Sequence, residues 1–278
     1  MKYLSWLMAL LLISTSGVAQ NKKDWTLLFN GKNLNNWDSY IGVPRDSAGK
    51  KVGNTPLGLN NDQQHVFTVI KQDGMNVIRV SGQSTGGIST KAEYENYHLQ
   101  LMFRWGAWLQ NGRKKKDSGL LYHSVGEQGA DSGAWMRSQE FQIEEGDCGD
   151  YWGCAGAMAD VPAIKKSEKD YVYDAAAPLL TFSAKSVQGR HCMKRGDAEK
   201  PIGEWNTLDL YCFGDTSIHV VNGKVVMVLY HNQQQEKDQV LPLIKGKIQL
   251  QSEGAEVFYK EVKLQAISKL PEALLKEQ

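Results

Sequence analysis

Ile218-His219-Val220-Val221-Asn222-Gly223-Lys224-Val225-Val226-Met227-Val228 reads as two strands and the turn between them. Its residues are mostly β-branched, and Asn222-Gly223 supplies the two positive-φ positions that a tight hairpin needs. The same rhythm extends outward from this hairpin. Leu99, Leu101, Phe103 and Trp105 alternate with His98, Gln100, Met102 and Arg104 at period two, the signature of a half-buried strand. Lys247-Ile248-Gln249-Leu250-Gln251 alternates again, and Phe258 to Leu264 supplies a closing strand. Helical periodicity is confined to Pro271–Gln278, which reads equally well as a frayed tail. The chain is therefore expected to be all-β.

Its 278 residues include 27 Gly but only 7 Pro, with no linker, internal repeat or low-complexity run. The N-terminus reads as an export signal: Lys2, a short apolar stretch from Leu4 to Ile13, and the small-x-small site Gly17-Val18-Ala19 before Gln20. About 13 mostly apolar residues fall short of the roughly 20 that span a bilayer. A leader over residues 1–19, one sandwich domain over 20–278, a periplasmic or extracellular location and no membrane span in the mature chain follow as expectations. Lys plus Arg total 32 against 31 Asp plus Glu, so there is no basic field for nucleic acid. Phosphate cradle, nucleophile elbow, His-Glu-x-x-His and dinucleotide fingerprint are all missing from the sequence, so no nicotinamide cofactor is expected.

Cys148, Cys154, Cys192 and Cys212 allow three pairings. Cys148 and Cys154 are close enough to staple one loop, while Cys212 fits a buried small hydrophobe. From Asp147 to Tyr173 the strand rhythm breaks into a glycine-punctuated stretch bearing Tyr151 and Trp152, expected to be a long functional loop. Arg113-Lys114-Lys115-Lys116, after Asn111-Gly112, reads as a solvated basic turn.

Ser138-Gln139-Glu140-Phe141-Gln142-Ile143-Glu144-Glu145 is the most informative segment for chemistry. Period two sends Phe141 and Ile143 to the core and Glu140, Gln142 and Glu144 to the opposite face. On an isolated strand that face would serve solubility. With Trp135, Tyr151, Trp152 and Ser118-Gly119-Leu120-Leu121-Tyr122-His123 nearby, it suggests an aromatic-flanked polar groove of the kind that holds sugars.

Phe29-Asn30-Gly31-Lys32-Asn33-Leu34-Asn35-Asn36-Trp37, Phe103-Arg104, Ser118-Gly119-Leu120-Leu121-Tyr122-His123, Glu140-Phe141-Gln142-Ile143, Gly203-Glu204-Trp205-Asn206-Thr207, Val221-Asn222-Gly223 and Gly246-Lys247-Ile248-Gln249-Leu250-Gln251 follow one another in order. In this the chain resembles the 3-keto-disaccharide hydrolase domain family over residues 24 to 267. The resemblance implies a concanavalin-like jelly-roll, a β-sandwich of two curved antiparallel sheets with a carbohydrate groove. It also implies cleavage of glycosides whose glucose unit is oxidised to a ketone at carbon 3.

Ordinary glycoside hydrolysis needs two carboxyl groups at roughly 5–5.5 Å or about 6.5–9.5 Å. Glu140 and Glu144 would lie about 13 Å apart in a regular strand, and Gln142 stands where a second carboxylate would be needed. A 3-ketone instead acidifies the hydrogen on carbon 2, so one base can start a β-elimination, with or without later hydration. Glu140 or His123 is the expected base, although the alternation leaves open which face His123 occupies. Gln142, Arg104, Trp152, Tyr151 and Gln251 are expected at the sugar. A divalent metal could polarise the ketone, with Glu145, Asp147 and Asp150 as weak candidate ligands. His191, His219 and His231 show no partner at helpful spacing and read as structural or surface residues. The alternatives are a non-catalytic, lectin-like carbohydrate-binding protein and an ordinary glycoside hydrolase.

Overall fold

A computed structural model describes residues 24–46 and 48–276. The predicted leader, 1–19, lies outside them, as do the last two residues. No helix among the described residues is long and apolar enough to cross a membrane.

Strands dominate, gathered into an eight-stranded and a twelve-stranded sheet whose neighbours pair antiparallel. The expected all-β sandwich is the fold observed. Thr216–Val221 and Lys224–Glu236 form the hairpin around Asn222 (φ 49°) and Gly223 (φ 80°), the two left-handed positions that its turn requires. The strand Tyr97–Leu109 lies between Asn206–Phe213 and Ala255–Ala266 in the larger sheet. Thr26–Leu27 pairs with Lys263 and Leu264, joining the first described strand to the last. The C-terminal tail holds one short helix, Glu272–Lys276.

The core lies where the two sheets face each other. Leu99, Leu101, Phe103 and Trp105 from the larger sheet meet Leu120, Tyr122, Phe141, Ile143, Ile248 and Leu250 from the smaller. A second cluster, including Tyr151, Val161, Phe182, Ile218 and Val228, continues it to one side. Because each of these strands spends alternate residues on the core, the residues between them must face the other way.

Three loop expectations need correcting. The stretch after Asp147 is not one long loop: Tyr151–Cys154 joins the smaller sheet, and Ala157–Lys165 and Tyr171–Tyr173 join the larger. Ala155 (φ 50°) and Gly156 (φ 92°) turn the chain between the first two. The glycines that looked like loop punctuation thus include turn residues between short strands. All four cysteines are free and buried, so Cys148 and Cys154 do not staple a loop. Cys148 packs in the main core and Cys154 faces the pocket described next. Finally, the basic run is not simply solvated. Arg113 bridges Asp117 at 2.9 Å and Glu253 at 3.3 Å, Lys115 pairs with Asp147, and Lys116 is buried with its Nζ donating to the Gly106 carbonyl at 2.7 Å.

Candidate functional site

The strands Tyr151–Cys154, Arg137–Glu144, Asp117–Val125 and Lys247–Ser252 are successive neighbours in the smaller sheet. Antiparallel register brings side chains from distant parts of the sequence together on the face turned away from the core. Trp152 lies beside Glu140, Gln142 beside Gly119, and Glu144 beside Asp117. Gly119 has no side chain of its own; a Cβ there would collide with Glu140 Oε1 and Gln251 Oε1, so both side chains overhang it. Into the resulting hollow of about 200 Å³ also face Asp131, Ser132, Trp135, Cys154, Arg190 and Glu253.

Glu140 is 6 % exposed, and its Oε2 accepts a hydrogen bond from the Cys154 thiol at 3.2 Å. Burial, reinforced by the charges of Glu253, Asp117 and Asp131, pushes its carboxyl well above the ordinary range. Three of the carboxylates around it are tied to arginines. Arg113 holds Asp117 and Glu253, and Arg190 donates to Asp131 at 2.6 Å. Asp117 is nonetheless pushed up to about 7, because burial and the neighbouring Glu253 outweigh Arg113. Glu144 is also pushed up to about 7, chiefly by burial and then by Asp117.

Gln251 is 1 % exposed, yet neither its Oε1 nor its Nε2 has a hydrogen-bond partner. Asp117 Oδ1 is similarly unpartnered. Leaving such groups unpaired costs about 1–3 kcal/mol each, a cost that hydroxyls or a carbonyl of a ligand would offset. The aromatic walls are fixed. Trp135 Nε1 donates to the Gly86 carbonyl at 2.8 Å, and the Trp152 indole stacks on His191 at 4.3 Å with Arg190 over its ring at 5.4 Å. Carboxyls, amides, a guanidinium and two indoles converging on one small hollow can bind a polyhydroxylated ring and transfer a proton within it.

Glu140, Gln142, Trp152 and Gln251 therefore come together as expected, whereas the other expected residues do not. Tyr151 points inward from the same strand as Trp152, fully buried, its hydroxyl donating to Gln139 Oε1 at 2.6 Å. His123 is also fully buried, between Tyr97 and Tyr122, and its Nδ1 meets the Leu243 carbonyl at 2.9 Å. The cause is a bulge: His123 adopts φ 51° and the register slips between Tyr122 and Val125. Burial lowers its imidazole to about 4, so the ring is neutral and remote from the pocket lining. Arg104 does face outward, but from the other sheet, where it pairs with Asp73 at 2.7 Å and covers Trp205.

Glu145, Asp147 and Asp150 do not converge on a common centre. Asp147 is taken by Lys115, Asp150 accepts from His191 (2.8 Å) and from the Lys194 backbone N–H (2.8 Å), and Glu145 faces the Lys116 amide. Among the described residues no group of three or more His, Cys, Asp or Glu is arranged to hold a metal ion. These three residues do not fit the expected metal. His191 and His231 do have carboxylate partners, Asp150 and Asp160, which only the fold brings near.

Asp117, Asp131, Glu253 and Arg190 are the functional candidates that sequence reading missed. Glu253 lies two residues beyond Gln251, and Asp117 opens the Ser118–His123 segment, so both were within reach of the period-two pattern. Asp131 and Arg190 lie outside regular strands and gave no such signal. A larger open groove of about 540 Å³, lined by Tyr173, Arg195, Gly223 and Val226 among others, lies elsewhere. Its carboxylate, Asp197, is exposed and paired with Lys194.

No curated protein matches the chain. Among solved structures, a "putative glycosyl hydrolase" from Parabacteroides distasonis ATCC 8503 aligns over 88% of this chain and 94% of its own at 19% identity, TM-score 0.48. The alginate lyase AlyC3 aligns over 83% and 89% at 13% identity, TM-score 0.42, and domain 4 of the arabinanase AbnA from Geobacillus stearothermophilus over 86% and 88% at 11%, TM-score 0.40. The family comparison reaches further: the model of the 3-keto-alpha-glucoside-1,2-lyase-like domain matches residues 24–265. With nearly all of the described chain matched, including every strand that builds the pocket, the protein belongs to that carbohydrate-active family.

Proposed function

We propose that this protein cleaves 3-keto-glucosides in the pocket around Glu140, with Glu140 as the general base. The observation that carries the reading is Glu140 itself: a buried carboxyl with a raised pKa, facing a hollow beside an amide with no partner. A carboxylate in such a site is a stronger base than one in water. Its carboxylate removes the proton on carbon 2 of the keto sugar, and the electron pair passes to the carbon-3 carbonyl as an enolate. The enolate then re-forms the ketone, making the carbon 1–carbon 2 double bond and breaking the bond from carbon 1 to the glycosidic oxygen. Glu140, now protonated, returns the proton to the departing oxygen. Addition of water across the enone would make the net reaction a hydrolysis.

Gln251 Nε2, a buried donor without a partner, is suited to the ketone oxygen, where negative charge develops. Trp135 and Trp152 offer apolar walls to the ring. The hollow falls below the roughly 300–1,000 Å³ typical of drug-sized ligand pockets, which favours one sugar ring over an oligosaccharide run. The export of the mature chain remains part of this reading, since an exported enzyme would meet its glycosides outside the cytoplasm.

Asp117, Asp131, Glu144 and Glu253 near Glu140 keep an ordinary two-carboxylate hydrolase as the second reading. Incubating the protein with a glucose disaccharide and with its 3-keto form separates the possibilities. The proposal expects cleavage of the keto form alone. Cleavage of the unoxidised sugar would support the second reading, and binding without cleavage of either would identify a lectin-like protein.

A further inference from the structure

Glu140 is held differently from its neighbours. Asp117 and Glu253 share Arg113, and Asp131 has both Arg190 and the Ala155 backbone N–H at 2.7 Å. Among the described residues, the side-chain donor that reaches Glu140 is the Cys154 thiol, at 3.2 Å from Oε2. Cys154 is 2 % exposed and stands on the neighbouring strand, across from Ser138 and one step along the pocket face from Trp152, the residue opposite Glu140. The other carboxylate oxygen, Oε1, overhangs Gly119 beside Gln251. One oxygen is thus anchored and the other is left for a ligand.

From this geometry we infer that Cys154 is the positioning residue of Glu140: its thiol fixes the carboxylate rotamer through Oε2 and leaves Oε1 as the proton acceptor. The inference rests on the proposed role of Glu140. An arginine in the same place would orient the carboxylate equally well but would stabilise its charge and weaken it as a base. A thiol is a weak, neutral donor, so it orients Glu140 at little cost in basicity. The groups that face Glu140 from the surrounding elements, Glu253 and Asp117 with their Arg113, and Asp131 with Arg190, stay the same when Cys154 alone is changed. Burial and the net negative surroundings then act on Glu140 without the thiol.

The test compares wild type, C154A, C154S and E140Q by two readouts. The first is the pH dependence of kcat/KM on a 3-keto-glucoside. C154A is expected to lose kcat more than KM and to move the acid limb upward by about half a pH unit, the scale of losing a weak hydrogen bond to a carboxylate. C154S, whose hydroxyl is a stronger donor, is expected to restore kcat to within a few-fold and to move the limb below that of wild type. The second readout is an infrared titration of the Glu140 carboxyl band, identified by its loss in E140Q, which needs no turnover. It should show the same ordering, C154A above wild type above C154S, even if the protein proves to cleave no keto sugar. Coincident Glu140 midpoints in all variants, or a C154S protein no better than C154A in either readout, would overturn the inference.

Discussion

Gly119 sets how closely Glu140 and Gln251 can share one hollow, because both side chains occupy the space that a Cβ would fill. Its backbone is ordinary extended strand, so G119A should fold while pushing both side chains aside. Misplacing reacting groups by about 1 Å costs on the order of 10²-fold in rate. A loss of that order in kcat/KM, with a melting temperature close to wild type, is the expected result, and unchanged turnover would place the chemistry elsewhere. R104A is the matching control: Arg104 lies on the other sheet, and its removal should leave turnover within about twofold, as expected of a surface substitution away from the site. At this scale the sequence was partly legible. Glu140 and Gln142 follow from pleat parity, and Gln251 from the same rule on a later strand, whereas Trp152 lay in a stretch expected to be a loop. Tyr151 fails by that parity, since it neighbours Trp152 and must point the opposite way. His123 fails because one left-handed residue breaks the alternation, which periodicity cannot announce for a non-glycine residue.

Between elements, the pairing of Asp117–Val125 with Arg137–Glu144 sets Asp117 directly across from Glu144. Burial pushes each carboxyl up to about 7 from ordinary values of 3.8 and 4.5, helped by the charge of Glu253 at Asp117 and by that of Asp117 at Glu144. The sign follows from proton binding. Between about 4 and 7 the folded state holds more protons than the unfolded chain, so these groups contribute stability that is complete at the acid end and lost as pH rises. Thermal unfolding followed from pH 4.5 to 8 should show a decline through this window, and E144Q should flatten it. An E144Q protein whose pH dependence matches wild type would show that this pair does not control it. The longer strands were readable from alternation and from Asn222-Gly223, while Tyr151–Cys154, Ala157–Lys165 and Tyr171–Tyr173 were not. Their assignment to one sheet or the other was not, because alternation gives a residue's face but no partner strand. That is why Arg104 looked like a groove residue and why Asp131 and Arg190, brought in by long-range contacts, did not.

Over the whole molecule, near-neutral net charge conceals an acidic pocket. Asp117, Asp131, Glu140, Glu144 and Glu253 outnumber Arg113 and Arg190 around it. Like-charge juxtaposition at a binding site is costly, so above pH 7, where Asp117 and Glu144 are mostly ionised, a 3-keto-glucoside whose carbon 6 is a carboxylate should react on the order of tenfold or more slowly than its neutral counterpart. Equal or faster turnover of the acidic sugar, measured as a ratio of kcat/KM, would contradict this account of the pocket. The all-β class was the most legible level, since the strands around Leu99–Trp105, Ile218–Val228 and Lys247–Gln251 repeat the period-two pattern, while the two-sheet sandwich came from the family resemblance. Proton removal from carbon 2 by Glu140 can be followed through cleavage of a 3-keto-glucoside carrying deuterium at carbon 2, with wild type and E140Q side by side under single-turnover conditions. With Glu140 as the base, wild type should cleave the deuterated sugar more slowly and E140Q should lose about 10²–10⁴-fold, the usual contribution of a general base. Equal rates for the two isotopic sugars, together with an E140Q enzyme that keeps its activity, would contradict it.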